Sequence, residues 1–299
     1  MPMLKLGLRM ARYSKRRVGA MGRPREEGNK ITLIKPSKGL IRLPMRELWE
    51  HRELLYFLTW RDIKVRYKQA VLGVLWAFIQ PFLKMVVFSI IFGTFARMDS
   101  EGYPYPIFLY AGLLPWQFFA DAVNRSGNSV VGSANLITKV YFPRLILPIA
   151  SVGAALVDFA ISFGVLIGLM VFYKMAPTIQ ILMVFPLILA TIMTALGVGV
   201  FVSALNVAYR DFRYIVPVFV QIWMYVTPVV YAVTIIPDRW YWLVRINPMG
   251  GIVDAYRSAM LGKPFDWSTL GISLAVSLGM LLVGLGVFRK TERFFADII

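Results

Sequence analysis

Two charged side chains stand inside long apolar segments, where an ionised group is costly. Lys84 lies in the segment VLGVLWAFIQPFLKMVVFSIIFGTFA, close to Gln80 and Pro81, and Asp158 lies in another apolar segment further along the chain. A charge at the centre of a membrane costs roughly 2.5–3.5 kcal/mol on insertion scales, and such residues face protein or water. Lys84 is therefore a candidate to line a transport path. The alternatives are a pair with Asp158 or a side chain that snorkels to the membrane surface.

The chain has few residues that are suited to enzyme catalysis. The sequence has no cysteine and a single histidine, His51, so a cysteine nucleophile or a multi-histidine metal site is excluded or improbable. No G-x-x-x-x-G-K-[ST] phosphate loop occurs, because Gly262–Lys263–Pro264 lacks both the upstream glycine and the hydroxyl. The H-E-x-x-H and G-x-S-x-G motifs are also absent. We predict no catalytic residue, no metal and no cofactor, so a partner must supply the energy for any transport.

The composition indicates a membrane protein with basic ends. Of the 299 residues, 58 % are hydrophobic and 16 % are charged, against roughly 25 % charged in an average soluble domain. Lys and Arg outnumber Asp and Glu by 33 to 16, and residues 1–68 alone hold 18 of these basic residues against 6 acidic ones. No basic and aromatic module typical of nucleic-acid binding is visible. We therefore expect the basic residues to interact with a membrane and not with a nucleic acid.

Apolar stretches predict the fold class, because a helix of about 20 residues crosses a hydrocarbon core of about 30 Å. We predict an all-α membrane protein with a six-span transmembrane domain over residues 69–299. Its spans are expected at about 71–96, 107–131, 145–173, 178–208, 214–233 and 268–288, and the second reaches this length only through polar residues. Most Lys and Arg fall on one side of these spans, so the positive-inside rule places both termini in the cytoplasm. The expected location is the cytoplasmic (inner) membrane.

Two further segments precede the spans. Residues 1–43 mix Arg, Lys, Gly and Pro, and we interpret them as a mobile basic arm that sets topology or tethers anionic lipid, with a specific partner site as the alternative. Residues 44–68 are predicted to form an amphipathic interface helix, because large apolar side chains recur at helical spacing. These side chains are Trp49, Tyr56, Trp60, Ile63 and Tyr67. Such a helix lies with its rings at headgroup depth; a soluble core helix is the alternative.

The segment between the second and third spans, SANLITKVYFPRLILP, is too aromatic and basic for a simple turn. Aromatic and arginine side chains in a cytoplasmic loop favour a docking surface. A loop that anchors the chain in the membrane interface is the alternative. The candidate contact residues are Leu136, Ile137, Lys139, Tyr141, Phe142 and Arg144.

Aromatic residues recur in the fifth predicted span. Phe219, Trp223 and Tyr231 follow one another at spacings of 4 and 8, with Tyr225 nearby. Sugars stack on aromatic rings, so a glycan channel would use such a stripe, and Lys84 joins these four as a channel candidate. Helix contacts and interfacial belts use aromatic residues in the same way, and that interpretation stays open.

Two other patterns concern packing and the outer side. Residues 234–267 are divided by Pro and Gly into two short amphipathic pieces. We interpret them as re-entrant helices that line a cavity, with helices lying flat on the outer leaflet as the alternative. Gly164 and Gly168 in the third span have the GxxxG spacing of a helix-packing motif.

From about residue 50 to 299 the chain resembles the transmembrane permease subunit of bacterial ATP-binding-cassette exporters of polysaccharide. The motifs that carry the resemblance are LLYFLTWRDIKVRYKQAVLGVLWAFIQP, YAGLLPWQFF, NLITKVYFPRLILP, NVAYRDFRY and YVTPVVY…INPMGGIVDAYR. The resemblance implies a homodimer with two separate ATPase subunits, which bind ATP and Mg. It also implies that NLITKVYFPR is a coupling helix, that the outer pieces are gate helices, and that the substrate is a glycan linked to undecaprenyl diphosphate.

The predicted function is export of such a lipid-linked polysaccharide, with O-antigen as the first expectation. By charge and position, Arg52, Arg61 and Lys64 are candidates to receive the lipid diphosphate at the cytoplasmic mouth. Capsule or teichoic-acid export and a lipid or drug exporter of the same architecture are alternatives. A membrane-embedded polyprenyl-phosphate glycosyltransferase is a further one, but it would need acidic catalytic residues, and Asp211 is the only acid in the boundary cluster of the fourth span.

Overall fold

The computed structural model describes residues 45–68, 75–293 and 295, and the predicted basic arm, residues 1–43, lies outside these ranges. Within them all regular structure is helical. A π-helical turn, Ser89–Phe95, continues α3, and short 3₁₀ helices occur at Ile179–Met183 and Val233–Ile235. The α-helices are α1 Met45–Glu50, α2 Arg52–Lys68, α3 Leu75–Phe88, α4 Tyr105–Gly132, α5 Ala134–Ile137, α6 Ile146–Phe172, α7 Val184–Ala208, α8 Phe212–Val226, α9 Asp238–Ile246, α10 Pro248–Leu261 and α11 Trp267–Glu292.

Four helical segments in the described ranges are long and apolar enough to cross a membrane. They are Leu75–Phe95, Ile146–Phe172, Ile179–Ala208 and Trp267–Glu292. Each lies where the sequence predicts a span, because long apolar runs with few charges leave the backbone little choice but a helix.

The other two predicted spans differ from this simple pattern. Helix α4 has 28 residues, which is long enough, but polar side chains in its second half lower its hydropathy. Helix α8 has 15 residues and ends at Val226, short of the predicted residue 233. Thr227 is extended, with φ −86° and ψ 138°, as expected for the residue before a proline, here Pro228. The total of six crossings stays a prediction.

Helix α4 lies at the centre of the larger hydrophobic cluster and packs against α6 and α7. Phe108, Tyr110 and Phe119 on this helix are fully buried. The Tyr110 hydroxyl donates to the Ser162 carbonyl at 2.9 Å, which satisfies the one polar atom of that ring. Because α4 is surrounded by other helices, its polar side chains meet protein.

Helices α7 and α11 pack with their backbones in close contact. A Cβ added at Gly284 would lie 2.3 Å from the Gly197 carbonyl oxygen, and one added at Gly197 would lie 2.7 Å from the Leu281 nitrogen. By contrast, a Cβ at Gly164 or Gly168 meets no atom of the described structure within 4 Å. The GxxxG pair of α6 is therefore not used for packing inside the described chain, and the close helix contact is made by glycines on two different helices.

Helix α2 packs lengthwise on α6. Leu58 is buried, the Thr59 side chain approaches Gly153, and Arg66 reaches Asp158 one to two turns later. Because these contacts advance in the same order along both helices, α2 runs beside α6 in the same direction. Its orientation to the membrane plane stays a prediction.

Candidate functional site

Asp158 is buried in α6 and collects three donors from two other helices. Arg66 and Tyr67 near the end of α2 both donate to its carboxylate, and Arg125 of α4 donates through Nη2 to Oδ2 at 2.5 Å. Membrane-buried charges are stable only when they are paired and hydrogen-bonded. Two guanidinium groups and one phenol meet that requirement, so this carboxylate holds α2, α4 and α6 together.

Lys84 does not pair with Asp158, which corrects one of the alternatives drawn from the sequence. Its Nζ donates to Gln117 Oε1 at 2.6 Å, and Gln117 Nε2 donates to Asp121 Oδ1 at 3.0 Å. Lys84 is half-buried between α3 and α4. The lysine therefore enters a hydrogen-bonded chain inside the protein.

Gln117, Asp121 and Arg125 stand four residues apart on α4 and so share one face of this helix. Together with Lys84 and Asp158 they form a polar stripe along α4, and we use that name below for these five residues. Sequence reasoning singled out only the two residues in strongly apolar segments. The signal for the others was their four-residue spacing along one helix.

The three residues expected to receive a lipid diphosphate are not gathered by the fold. Arg52 and Arg61 are nine residues apart on α2, which is two and a half helical turns, so they lie on opposite faces. The Arg52 guanidinium lies 5.5 Å from the centre of the Trp49 ring, and Lys64 lies 5.5 Å from that of Trp60. Arg61 instead donates to Asp62 at 2.9 Å. Arg61 alone faces a cavity, which is described below.

The loop that contains α5 divides its candidate residues into anchors and exposed side chains. Phe142 is 4 % exposed and Ile137 is also buried, whereas Tyr141 is 78 % exposed and Lys139 is exposed as well. Leu136 is half-buried against the same cluster. This loop cluster includes the buried residues Leu58, Ile137, Phe142, Ile146, Phe288 and Phe295. The exposed side chains are the ones available to a partner.

Arg144 bonds the α5 loop to the C-terminal end of α11. Its guanidinium donates to the Glu292 carbonyl and lies 5.8 Å from the centre of the Phe295 ring, and its backbone N–H donates to the Glu292 carboxylate at 3.3 Å. These contacts tie the loop to the end of α11.

The aromatic residues of the fifth span do not form one stripe. Phe219 and Tyr225 are exposed on α8, but Trp223 turns inward against Trp116 and Phe119, with ring centres 6.2 and 5.3 Å apart. The Trp223 indole N–H donates to Asn247 Oδ1 at 3.1 Å. Tyr231 lies beyond the end of α8, so the expectation that it shares a helical face with Trp223 is wrong, because Pro228 ends the helix first.

The two amphipathic pieces expected within residues 234–267 form α9 and α10, and they differ in burial. Trp240 and Trp242 of α9 are exposed, whereas nearly all of α10 is buried inside the protein. Asn247 separates the helices and caps α10 by accepting from the Met249 N–H at 3.1 Å. Gly262 ends α10 in the left-handed conformation, with φ 75°.

Arg257 of α10 is fully buried and donates hydrogen bonds to carbonyl groups of the non-helical backbone that follows α8. Its guanidinium donates to the carbonyls of Val229 at 2.6 Å, Tyr231 at 3.1 Å and Phe108 at 3.4 Å. It also lies 3.9 Å from the centre of the Phe108 ring. A buried non-helical backbone requires such hydrogen-bond partners, so α10 holds the junction of α8 and α9 in place.

Comparison with known proteins agrees with this architecture. Residues 53–261 match the ABC-2 type transporter family. The O-antigen export system permease protein RfbA of Klebsiella pneumoniae is 30 % identical over 248 residues, covering 83 % of this chain and 95 % of that protein. RfbA of Myxococcus xanthus is 30 % identical over 263 residues, covering 87 % of this chain and 100 % of that protein.

A more distant relative is named for a different substrate. The polysialic acid transport protein KpsM of Escherichia coli is 23 % identical over 242 residues, covering 78 % of this chain and 91 % of that protein. Families of this kind supply the membrane subunit of a transporter, and a separate ATPase subunit supplies the energy. With the family match over the larger part of its length, this chain is a multi-pass membrane transport subunit that belongs to the ABC-2 type transporter family.

Proposed function

We propose that this chain is the permease subunit of an exporter that moves a lipid-linked polysaccharide, O-antigen in the first instance, across the cytoplasmic membrane. The observation that carries the proposal is the 30 % identity, over more than four-fifths of this chain, to permeases named for O-antigen export in two organisms. The lipid carrier in this proposal is undecaprenyl diphosphate, which the exporter accepts on the cytoplasmic side.

The proposed assembly is a homodimer of six-span chains bound to two ATPase subunits, with both termini in the cytoplasm. The loop with α5 would then be the coupling helix that docks on the ATPase. The exposed Tyr141 and Lys139 supply its contacts, and the buried Ile137 and Phe142 fix it to the loop cluster. Arg144 carries the movement to α11 through its bonds to Glu292.

The proposed path for the glycan uses the exposed aromatic rings of α8, Phe219 and Tyr225. Trp223 and Tyr231 support this wall from behind, since the first packs on α4 and the second donates to the Tyr225 carbonyl at 3.1 Å. Helices α9 and α10 are proposed as gate helices on the outer side. Lys84 is proposed to help shape this path by holding α3 to the polar stripe of α4 through its hydrogen bond to Gln117.

Reception of the lipid diphosphate is assigned to exposed basic residues of α2. Arg52 and Lys64 are exposed and offer their charge at the surface, whereas Arg61 lies on the face of α2 opposite Arg52 and lines a cavity, so it is left out of this assignment. Residues 44–68 would act as the interface helix and residues 69–299 as the transmembrane domain.

Deletion of the gene with its ATPase gene intact tests the proposal. We expect lipid-linked glycan to accumulate inside the cell and surface O-antigen to disappear, with recovery when the wild-type chain is restored. A permease with Phe219 and Tyr225 replaced by Ala should export less glycan, while Ile215→Ala, also exposed on α8, serves as a matched control. Normal surface polysaccharide in the deletion strain contradicts the substrate class.

Capsule export is a second candidate because KpsM is also a relative, at lower identity. The two candidates are separated by the polymer that accumulates in the deletion strain. A lipopolysaccharide-type glycan on undecaprenyl diphosphate supports the first, and a capsule-type polymer supports the second.

A further inference from the structure

A cavity of about 540 Å³ lies between α2, α4 and α6, and its walls are unusually rich in arginine. Arg61 and Arg66 enter it from α2, and Arg125 enters it from α4. Apolar wall is supplied by Leu58, Val65 and Leu147. An amphipathic pocket with several guanidinium groups fits a ligand that has an anionic head and an apolar body.

The guanidinium groups have capacity left for a ligand. Arg66 uses Nη1 and Arg125 uses Nη2 to bind Asp158, whereas a guanidinium offers five N–H donors. Ser129, Ser151 and Asn128 add short polar side chains to the same walls. A phosphate oxygen in the cavity could therefore accept from two helices at once.

The charge of the walls selects the kind of anion. Asp62 in the wall and Asp158 behind it offset two of the three arginine charges, which leaves one positive charge uncompensated. A phosphodiester carries one negative charge and matches this site, whereas a diphosphate carries more. The cavity also adjoins Gly132 and Ser133, which lead directly into α5. That end of the molecule is cytoplasmic in the assembly proposed above.

We propose that this cavity binds the phosphodiester headgroup of an anionic glycerophospholipid, such as phosphatidylglycerol, from the cytoplasmic leaflet. The site is separate from the one that receives the transported lipid. The proposal rests on the proposed function in one respect only, which is that this end of the molecule faces the cytoplasm. A bound headgroup would bridge Arg61 and Arg66 on α2 to Arg125 on α4. The lipid would thus stiffen the attachment of α2 to the spans.

The test is binding of phosphatidylglycerol to the purified permease–ATPase complex, measured by native mass spectrometry against phosphatidylcholine. The first variant, Gly132→Leu, adds an apolar side chain at the wall of the cavity without changing charge, and a Cβ at this position meets no atom of the described structure within 4 Å. The second variant, Arg61→Gln, removes a charge whose described ion pair is only to the adjacent Asp62. Arg210→Gln, an exposed basic residue at the end of α7, is the matched control.

We expect phosphatidylglycerol to bind more tightly than phosphatidylcholine. Arg61→Gln should weaken phosphatidylglycerol binding about fivefold, the effect of one basic residue near an anionic lipid, and Gly132→Leu should weaken it by occupying space in the cavity. The control should stay within about twofold. Equal binding of the two phospholipids, or unchanged binding in both test variants, overturns the proposal. Displacement of phosphatidylglycerol by an equimolar polyprenyl phosphate also overturns it, because the site would then belong to the carrier lipid.

The readout separates this proposal from the proposed function. Lipid binding is measured without export, so a complex that binds phosphatidylglycerol but exports no glycan contradicts the function alone. A complex that exports glycan normally, yet shows no preference for the anionic phospholipid, contradicts the cavity proposal alone.

Discussion

Arg66 of α2 and Asp158 of α6 form an ion pair across 92 residues of sequence. Tyr67 and Arg125 share the same carboxylate, so three helices meet at one buried anion. Such a junction resists separation of its parts, because removing one partner leaves a buried charge uncompensated. The helix that precedes the first span is thereby fixed to the core of the transporter.

Removal of the shared carboxylate should destabilise the protein strongly. We expect Asp158→Ala to lower the free energy of unfolding by about 3–5 kcal/mol, because two guanidinium groups lose their partner. Asp158→Asn should cost less, since the amide oxygen still accepts hydrogen bonds. Denaturation of the purified chain in mixed detergent measures both, with Asp211→Asn at the exposed end of α7 as the control. An equal loss in Asp211→Asn and Asp158→Ala would contradict the role of the junction.

Neighbouring residues of the α5 loop should respond to mutation in opposite ways. Tyr141→Ala should leave stability unchanged within about 0.5 kcal/mol but weaken association with the ATPase by about 2 kcal/mol, as for an aromatic contact at an interface. Phe142→Ala should destabilise the chain itself by about 3–5 kcal/mol, because Phe142 is buried in the loop cluster.

Co-purification of the ATPase and detergent denaturation of the permease measure the two effects separately. Full ATPase binding by Tyr141→Ala would remove the docking role of the exposed ring. A stable Phe142→Ala chain would show that the loop is not anchored by this residue.

The sequence predicted local helical structure better than it predicted which side chains contact one another. The helix Ile146–Phe172 falls within one residue of the predicted 145–173, because the apolar run determines the helix by itself. The partners of Asp158 lie 33 and 91 or more residues away in sequence, and helix packing alone brings them together. The burial of Phe142 next to an exposed Tyr141 likewise depends on where α11 lies. The residue types indicated that these positions matter, but their contact partners could be identified only from the folded structure.

Arg257 should not be replaceable by lysine. A lysine keeps the charge but lacks the planar fork that reaches the carbonyls of Val229, Tyr231 and Phe108 at the same time. We expect Arg257→Lys to cost about 1–3 kcal/mol for each carbonyl left unsatisfied, up to two of them. Denaturation of the purified chain measures the loss, and Arg239→Lys on the exposed α9 provides the control. Similar stability of the two variants would contradict the buried role.

The glycines of the bundle should divide into two classes. Gly284→Ala should destabilise α7–α11 packing, because its Cβ would lie 2.3 Å from the Gly197 carbonyl oxygen and neither atom is on a flexible side chain. Gly164→Ala should be neutral or stabilising by up to about 1 kcal/mol, since alanine favours a helix and the position is open. Unfolding of the two purified variants compares them. A stable Gly284→Ala would contradict the backbone contact.

Asp266 should make the start of α11 sensitive to acid. Its carboxylate accepts from the Thr269 hydroxyl at 2.6 Å, the Thr269 N–H at 3.0 Å and the Tyr241 hydroxyl at 3.0 Å. The bond from the Thr269 hydroxyl is the main cause that holds the pKa of Asp266 below its usual value of 3.8. A carboxyl whose pKa is lowered by folding stabilises the folded state above its unfolded pKa. That stabilisation is lost as the pH falls through the folded pKa.

We therefore expect Asp266→Ala to lower the free energy of unfolding by about 1 kcal/mol at neutral pH, as for other helix N-caps. The difference between wild type and variant should shrink as the pH falls below 3.8 and through the lower folded pKa, because the wild-type carboxyl is then protonated first in the unfolded and then in the folded chain. Asp266→Asn keeps an oxygen acceptor that does not titrate, so its stability relative to Asp266→Ala should not change with pH. A difference between wild type and Asp266→Ala that is independent of pH would show that the charge of Asp266 does not contribute to the cap.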